Sequence, residues 1–149
     1  MARQYMPDLV ITSDVIVGFP GETEADFQDT LHLITDLRFD ALFTFIFSPR
    51  KGTRATEMAD TTEKAEKDRR FQQLVDTQNV ISKEIHSQYI GRTMRVLVDG
   101  HAEHQPGCLS ARTNGGRLVV LPGSDSLIGS FVNAEITGAT TWSLSGRLV

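Results

Sequence analysis

The chain has 149 residues, of which 40% are hydrophobic, and a formal net charge of -4. A chain of this length can bury one moderate core or two small ones. No segment reaches the roughly 18 consecutive apolar residues of a membrane span, and the N-terminal MARQYMPD lacks the apolar centre of a signal peptide. We therefore expect a soluble, cytoplasmic protein without a membrane partner. The single cysteine, Cys108, excludes an internal disulfide.

Charge is distributed unevenly along the chain. Residues 1–89 hold ten lysines and arginines against fifteen acidic residues, whereas residues 90–149 hold five arginines against four acidic residues. Only the second part has a positive balance that favours a polyanion, and the excess is slight. Charge therefore permits nucleic-acid binding but does not argue strongly for it.

The first part of the chain has the pattern of an α/β unit. Residues 9–19 (LVITSDVIVGF) form a β-branched apolar run that predicts a buried parallel strand ended by Pro20-Gly21. Thr23 is placed to cap a helix with apolar residues at helical spacing. A second apolar run, ALFTFIF, follows Asp40 and ends at Ser48-Pro49. Strand, helix and strand within about forty residues predict a βαβ unit.

The rest of the chain predicts one long helix followed by a β-rich region. Residues 62–89 contain no Gly or Pro and keep an apolar period near 3.5, which predicts an amphipathic helix whose charges are mostly solvated. After Gly91, five short β-rich stretches separated by turns predict a small barrel. Asn114-Gly115 tolerates the positive φ that a hairpin between the second and third strands needs.

Two loops that follow strands are candidate ligand sites. DVIVGFPGET, residues 14–23, leaves the first strand through glycines that allow close approach of a ligand to the backbone. SPRKGTR, residues 48–54, offers three cations and hydroxyl groups to a carboxylate or phosphate. An ordinary tight βα turn and an exposed basic loop explain these motifs at least as well.

A histidine and cysteine group superficially resembles a zinc site. His101, His104 and Cys108 lie in a loop with Pro and Gly, and Glu103 is nearby. Their spacing matches no established zinc pattern, and only one thiol is present. We therefore expect no metal site, and we interpret Cys108 as an ordinary strand residue.

Three segments together resemble the radical S-adenosylmethionine methylthiotransferase family: SDVIVGFPGETEADF, FTFIFSPRKGTRA and LIGSFVNAEITGATTWSLSGRLV. SPRKGT and ATTWSLSG resemble the tRNA 2-methylthio-N6-dimethylallyladenosine synthase branch more than the ribosomal-protein branch. The resemblance implies an α/β plus all-β fold, in which residues 1–86 are the C-terminal part of a partial (β/α) radical-SAM barrel with a long connecting helix. Residues 87–149 are then a five-stranded, OB-like TRAM barrel.

The same resemblance implies cofactors for the complete family enzyme: S-adenosylmethionine and two 4Fe-4S clusters. Cysteine thiolates hold such clusters, and Cys108 lies outside the family's cluster motifs, so we expect this chain alone to hold none and to be inactive. No catalytic residue and no metal ligand is assigned. By resemblance, elements lining the S-adenosylmethionine site fall on Ile16, Val17, Gly18, Phe47 and Ser48.

The resemblance also implies a tRNA partner, bound at its anticodon stem-loop. Arg92, Arg112 and Arg117 are the candidate contacts, because arginines of small barrels meet phosphates or stack on bases. An ion pair with a neighbouring acid is an equally good interpretation of each. Ala111, where the family has glycine, and VVLPG in place of VVNFPG depart from the family pattern. A free-standing RNA-binding module without catalysis, a fragment of a ribosomal-protein methylthiotransferase, and self-association through an open barrel edge remain alternatives or additions.

Overall fold

The computed structural model describes residues 2–149, which form two compact units. The first, here called the α/β unit, comprises Ile11–Ile81. The second, the barrel unit, combines the N-terminal segment through Val10, with its short helix α1 (Ala2–Tyr5), and Ser82–Val149. The domain division at residues 86 and 87 falls beside the last residue of the long helix and stays a prediction.

The α/β unit is built on two parallel strands joined by a helix. Strand β1 (Thr12–Val17) pairs in parallel with β2 (Ala41–Ile46), from Thr12 opposite Ala41 to Val17 opposite Ile46. Helix α2 (Glu24–Leu37) connects them, which confirms the βαβ unit. Strand β1 is shorter than the predicted 9–19, and at its C-terminal end Gly18 has a φ of 70°, which an extended strand cannot adopt. The prediction that this strand is buried is wrong, since only Val17 of its six residues is buried.

Helix α2 begins where the sequence places its cap. The Thr23 side chain accepts a hydrogen bond from the Asp26 amide at 3.2 Å, and the Asp26 carboxylate accepts one from the Thr23 amide at 2.8 Å. This capping box satisfies two amides that the first turn of a helix leaves without partners. Phe27, Leu31 and Ile34 recur at helical spacing and are all buried. The helix thus covers the unit with one apolar stripe.

A 3-10 helix (Arg54–Glu57) precedes helix α3 (Lys64–Ser87), which lies within the predicted range 62–89. Most charged residues of α3 are exposed, as expected, but Lys67 and Arg70 are exceptions that are only 8% and 5% exposed. They share the buried stripe of the helix with Leu74, Gln78 and Ile81. Within residues 2–149 no helix has both the length and the apolar character needed to cross a membrane.

Five strands close into a barrel, as predicted. They are β3 (Thr93–His101), β4 (Cys108–Thr113), β5 (Leu118–Pro122), β6 (Phe131–Ala139) and β7 (Leu144–Leu148). The closed order is β3-β4-β5-β7-β6, with β5 and β7 parallel and the other pairs antiparallel. Closure removes the free edges of the sheet, and alternate residues point into an apolar core. That core contains Tyr89, Val96, Val98, Leu109, Ala111, Val119, Leu121, Ala134, Ile136 and Leu144.

The hairpin between β4 and β5 is present, but its left-handed residue differs from the expected pair. Gly116, rather than Asn114 or Gly115, has a positive φ of 78°. The Gly116 amide donates to the Thr113 carbonyl at 2.9 Å, and the Thr113 amide donates to the Arg117 carbonyl at 3.0 Å. A three-residue loop of this kind places its left-handed residue last, which accounts for the shift.

Candidate functional site

The turn that leaves β1 is fixed by a carboxylate four residues further on. The Gly18 amide donates to Glu22 Oε2 at 2.8 Å. Gly18 also packs on the aliphatic part of Lys67, so closely that an added Cβ would lie 2.7 Å from the Lys67 Cγ. Two features therefore require glycine at this position: its positive φ, and the close packing of the Lys67 side chain, which leaves no room for a Cβ. The motif at residues 14–23 therefore forms a tight βα turn, which is the structural interpretation that its spacing also allowed.

Glu22 also joins this turn to α3. Arg70 Nη1 donates to Glu22 Oε2 at 2.8 Å and to the Glu22 carbonyl at 3.1 Å, and both side chains are nearly inaccessible. Burial opposes the charge of Arg70, but the hydrogen bonds that Arg70 donates to Glu22 and Glu66 outweigh this effect, so the pKa of Arg70 is raised. A buried pair that is broken on one side leaves an uncompensated charge, which makes this link costly to remove.

A second ion pair lies beside the first. Lys67 Nζ donates to Asp60 Oδ2 at 2.5 Å, and this hydrogen bond holds the pKa of Asp60 below its usual value. The Lys67 ammonium is also 5.9 Å from the centre of the Phe47 ring, which meets Phe19 edge to face at 5.1 Å. Residues that follow β1 and β2 thus contact Lys67 of α3, directly through Phe47 and indirectly through the packing of Phe19 on Phe47.

The structure brings the two halves of the predicted cofactor wall side by side, since the Phe47 amide donates to the Val17 carbonyl at 2.8 Å. Their accessibility differs, however. Ile16 is 52% exposed and Ser48 is exposed, Phe47 is half-buried, and Val17 and Gly18 are buried.

Ile16 lies opposite Phe45, which is also about half exposed, on the outer face of the two-stranded sheet. This face suits a flat apolar group such as an adenine ring. Val17 points to the opposite, buried side, and the Gly18 amide is already engaged by Glu22. The residues therefore fit an adenosyl group in part, through Ile16 and the exposed Ser48.

The basic loop at residues 48–54 is closed by its own hydroxyl groups. Thr53 Oγ1 and Thr56 Oγ1 donate to the Arg50 carbonyl at 2.8 Å and 2.5 Å. Arg50, Lys51 and Arg54 are exposed. An anion could reach all three side chains, although their exposure is equally typical of a solvated loop.

In the barrel unit, two of the predicted RNA contacts flank one tyrosine. The guanidinium groups of Arg92 and Arg117 lie 4.8 Å and 4.5 Å from the centre of the Tyr89 ring. Arg92 also pairs with Asp8 at 3.1 Å, whereas Arg117 is only 9% exposed. Tyr89 itself belongs to the barrel core, so these stacked contacts contribute to the packing of the barrel.

Arg112, the third predicted contact, is held by an acid on the neighbouring strand. Its Nε lies 3.1 Å from Asp99 Oδ2, and the Ser110 hydroxyl donates to the same carboxylate at 2.6 Å. The Ser110 hydrogen bond, more than the charge of Arg112, holds the pKa of Asp99 below its usual value. The Arg112 side chain remains 49% exposed and accessible to a phosphate.

Sequence reasoning missed an exposed arginine on β3, the strand that pairs with the strand of Arg112. The Arg95 guanidinium lies 4.2 Å from the centre of the Phe131 ring, and both residues are exposed. Arg95 lies opposite Asn133 on β6, so a cation, an aromatic ring and an amide share one outer patch. Alternation along β3 and β6 could have revealed it, because it places an aromatic residue at a solvent-facing position, where one is unusual.

The histidines of the supposed zinc group are not assembled. His101 Nδ1 lies 3.8 Å from Asp125, and His104 Nε2 lies 4.0 Å from Glu103. Across residues 2–149 no three His, Cys, Asp or Glu side chains are grouped so that they could hold a metal ion. Cys108 is the first residue of β4 and is partly buried, as expected for a strand residue.

The barrel matches the family model described as the TRAM domain over residues 87–149. Those residues form a TRAM domain. Its strands and core are those of the barrel unit described above.

The similarity to curated proteins extends over nearly the whole chain, including the α/β unit. The chain is 44% identical to the tRNA-2-methylthio-N(6)-dimethylallyladenosine synthase of Acetivibrio thermocellus over 147 residues, which are 99% of this chain and 31% of that protein. The synthase of the same name from Moorella thermoacetica is 44% identical over 99% of this chain and 33% of its own length. That from Syntrophomonas wolfei is 45% identical over 98% of this chain and 33% of its own length. The resemblance to the methylthiotransferases is thereby confirmed, and the chain spans about a third of the length of these relatives.

Proposed function

We propose that this chain is the C-terminal part of a tRNA methylthiotransferase. The complete enzyme adds a methylthio group to C2 of N6-isopentenyladenosine next to the anticodon. In this assignment the TRAM domain binds the anticodon stem-loop, and the α/β unit forms one wall of the S-adenosylmethionine site. The supporting observation is the continuous similarity over 147 residues, which covers both units rather than the TRAM domain alone.

In the complete enzyme, S-adenosylmethionine and two 4Fe-4S clusters supply radical chemistry and sulfur. Ile16 and Ser48 are the accessible residues of the proposed wall, and the apolar face shared with Phe45 would orient an adenosyl group. With one cysteine, this chain has fewer thiolates than a cluster requires. We therefore assign it binding and positioning, and no catalytic residue.

A chimeric enzyme tests the assignment. The matching third of the Moorella thermoacetica relative is replaced by this chain, and tRNA nucleosides from cells lacking their own synthase are analysed by mass spectrometry. We expect the methylthiolated form of N6-isopentenyladenosine to appear, as it does with the unaltered relative as control. A folded chimera that leaves the adenosine unmodified would contradict the proposal.

RNA binding by the TRAM domain is tested on the chain itself. Arg95→Ala and Arg112→Ala should each weaken binding to an anticodon stem-loop and flatten the slope of log affinity against log salt by about 0.7–0.9 for each lost phosphate contact. Arg69→Ala is the matched control, since Arg69 is an exposed arginine of the α/β unit engaged by Glu24 and Glu66. Unchanged affinity and slope in both barrel variants would mean that these arginines have only a structural role.

The single cysteine favours a second candidate, a free-standing RNA-binding module without catalysis. The two experiments separate the candidates. RNA binding by the chain together with an inactive chimera supports the module, whereas an active chimera supports the enzyme.

A further inference from the structure

The connection between β6 and β7 presents an exposed indole ring. Trp142 is the only tryptophan of the sequence, and it is 73% exposed in the turn Thr140–Ser143. A ring exposed to this extent leaves most of its apolar surface in water, where contact with a flat partner would be favourable. Its neighbours Thr140 and Ser143 carry hydroxyl groups, so the ring does not belong to a contiguous apolar patch within the turn.

The turn that carries this ring is held in one backbone conformation. The Thr140 amide donates to the Ser143 carbonyl at 2.8 Å, and Thr140 Oγ1 accepts from the amides of Ser143 at 3.0 Å and Trp142 at 3.2 Å. The Thr140 carbonyl in turn accepts from His86 Nδ1 at 2.8 Å, which anchors the turn to the end of α3 within the barrel unit. Ordering this backbone on binding therefore costs little, which is what preorganisation provides.

The position in the barrel indicates which partner suits the ring. In OB-like barrels the loop between the last two strands is one of those that contact oligonucleotides, and β6 and β7 are the last two strands here. Unpaired bases stack on aromatic side chains at such sites irrespective of base identity. A protein interface would instead centre on an aromatic residue surrounded by further apolar contacts, and the hydroxyl-bearing neighbours of Trp142 do not supply them.

We propose that Trp142 is a base-stacking residue of the TRAM domain, which takes one unpaired base of a single-stranded or loop segment of RNA. The inference rests on the proposed RNA binding and adds a contact that works through stacking rather than charge. It is separate from the patch of Arg95 and Phe131, which lies at the opposite end of β6.

The sole tryptophan makes this contact directly observable. The full chain is titrated with an anticodon stem-loop RNA, while Trp142 emission and the anisotropy of a label on the RNA are recorded in parallel. We expect quenching of Trp142 emission that follows the anisotropy, and no quenching by a fully paired duplex of the same length. Trp142→Ala should weaken binding about 5- to 150-fold without changing the salt slope, and Trp142→Phe should retain most of the affinity.

Tyr5→Ala is the matched control, because Tyr5 is an equally exposed aromatic residue of the barrel unit outside the barrel strands. Thermal unfolding of Trp142→Ala and Trp142→Phe verifies that both variants remain folded. If the RNA binds by anisotropy while Trp142 emission and the affinity of Trp142→Ala stay unchanged, the stacking role is refuted and the proposed RNA binding stands. If no RNA binds at all, the proposed RNA binding fails, and the stacking role fails with it.

Discussion

Gly18 and Gly21 share a left-handed backbone but differ in their surroundings. Both have positive φ, 70° and 87°, yet a Cβ would meet Lys67 at Gly18 and nothing within 4 Å at Gly21. Gly21→Ala should therefore lower the free energy of unfolding by about 1–2 kcal/mol, which is the cost of placing alanine in a left-handed backbone conformation. Gly18→Ala should cost about 1–3 kcal/mol more, because the lysine must move. Urea denaturation of the two variants measures the difference, and equal losses would show that Lys67 yields freely.

The stability of the fold at acid pH depends on the ionisation of Glu66. Hydrogen bonds from Arg69, and then from Arg70, lower its pKa from 4.5 to about 2. A depressed pKa contributes stability that is present above pH 4.5 and is lost as the pH falls toward 2. Glu66→Gln should therefore lower the melting temperature at neutral pH and flatten its fall across this acid window. Asp68→Asn, which removes an exposed carboxylate of the same helix, is the control, and an equal flattening in that variant would contradict the role of Glu66.

The arginines illustrate how far the sequence could predict the site. Arg92, Arg112 and Arg117 could be selected from the sequence, but Arg95 was missed and the partners of all four were not predictable. Asp8 is 84 residues from Arg92 in sequence, and Asp99 reaches Arg112 only because β3 and β4 are adjacent. Arg95 has Phe131 as its neighbour for the same reason. Strand pairing determines which arginine side chains are accessible, and local sequence does not predict that pairing.

At the level of elements, the capping box of α2 predicts how much stability the helix cap contributes. Thr23→Ala removes the side chain that accepts from the Asp26 amide, so we expect a loss of about 1 kcal/mol in the free energy of unfolding. Thr30→Ala is the matched control, because Thr30 lies within the same helix and its hydroxyl donates to a carbonyl that the helix already satisfies. Chemical denaturation should show little or no loss for Thr30→Ala. A loss for Thr23→Ala no greater than that of Thr30→Ala would contradict the role of the cap.

The boundaries of the elements were predictable where local chemistry decides them. Alternation and turn residues located all five barrel strands, and the Thr23 cap located the start of α2. Local sequence did not predict the burial of side chains that depends on tertiary contacts. Lys67 and Arg70 are charged, and only the folded positions of Asp60 and Glu22 explain why they are buried. The four-residue helix α1 is too short to show any period.

On the scale of the whole molecule, the two-stranded sheet of the α/β unit exposes an apolar face. Ile16, Phe43 and Phe45 are each more than half exposed on it, and in residues 2–149 β1 pairs with β2 alone. An apolar face beside an unpaired strand edge favours association with a further copy. We therefore predict concentration-dependent self-association of the isolated chain in sedimentation velocity experiments.

Replacing Phe43 and Phe45 with serine should abolish this association, because it removes most of the exposed apolar area of the face. Leu33→Ser is the control, since Leu33 is 55% exposed on α2 and lies outside the sheet. A parent chain that sediments as a monomer at all accessible concentrations would refute the prediction.

The barrel unit is interrupted along the chain, and this has a consequence for its synthesis. Asp8 bonds to Arg92, and Val10 packs against Gly115, where a Cβ would have no room. The ribosome delivers residues 2–10 before the continuous segment Ile11–Ile81, and their partners in the barrel unit only after that segment has emerged. Because domains generally fold as units during translation, the α/β unit can form its contacts while the early segment is still without its partners. The segment through Val10 gains its partners only when the barrel residues Arg92 and Gly115 are available, so the part of the barrel unit that is translated earliest is among the last to complete its contacts.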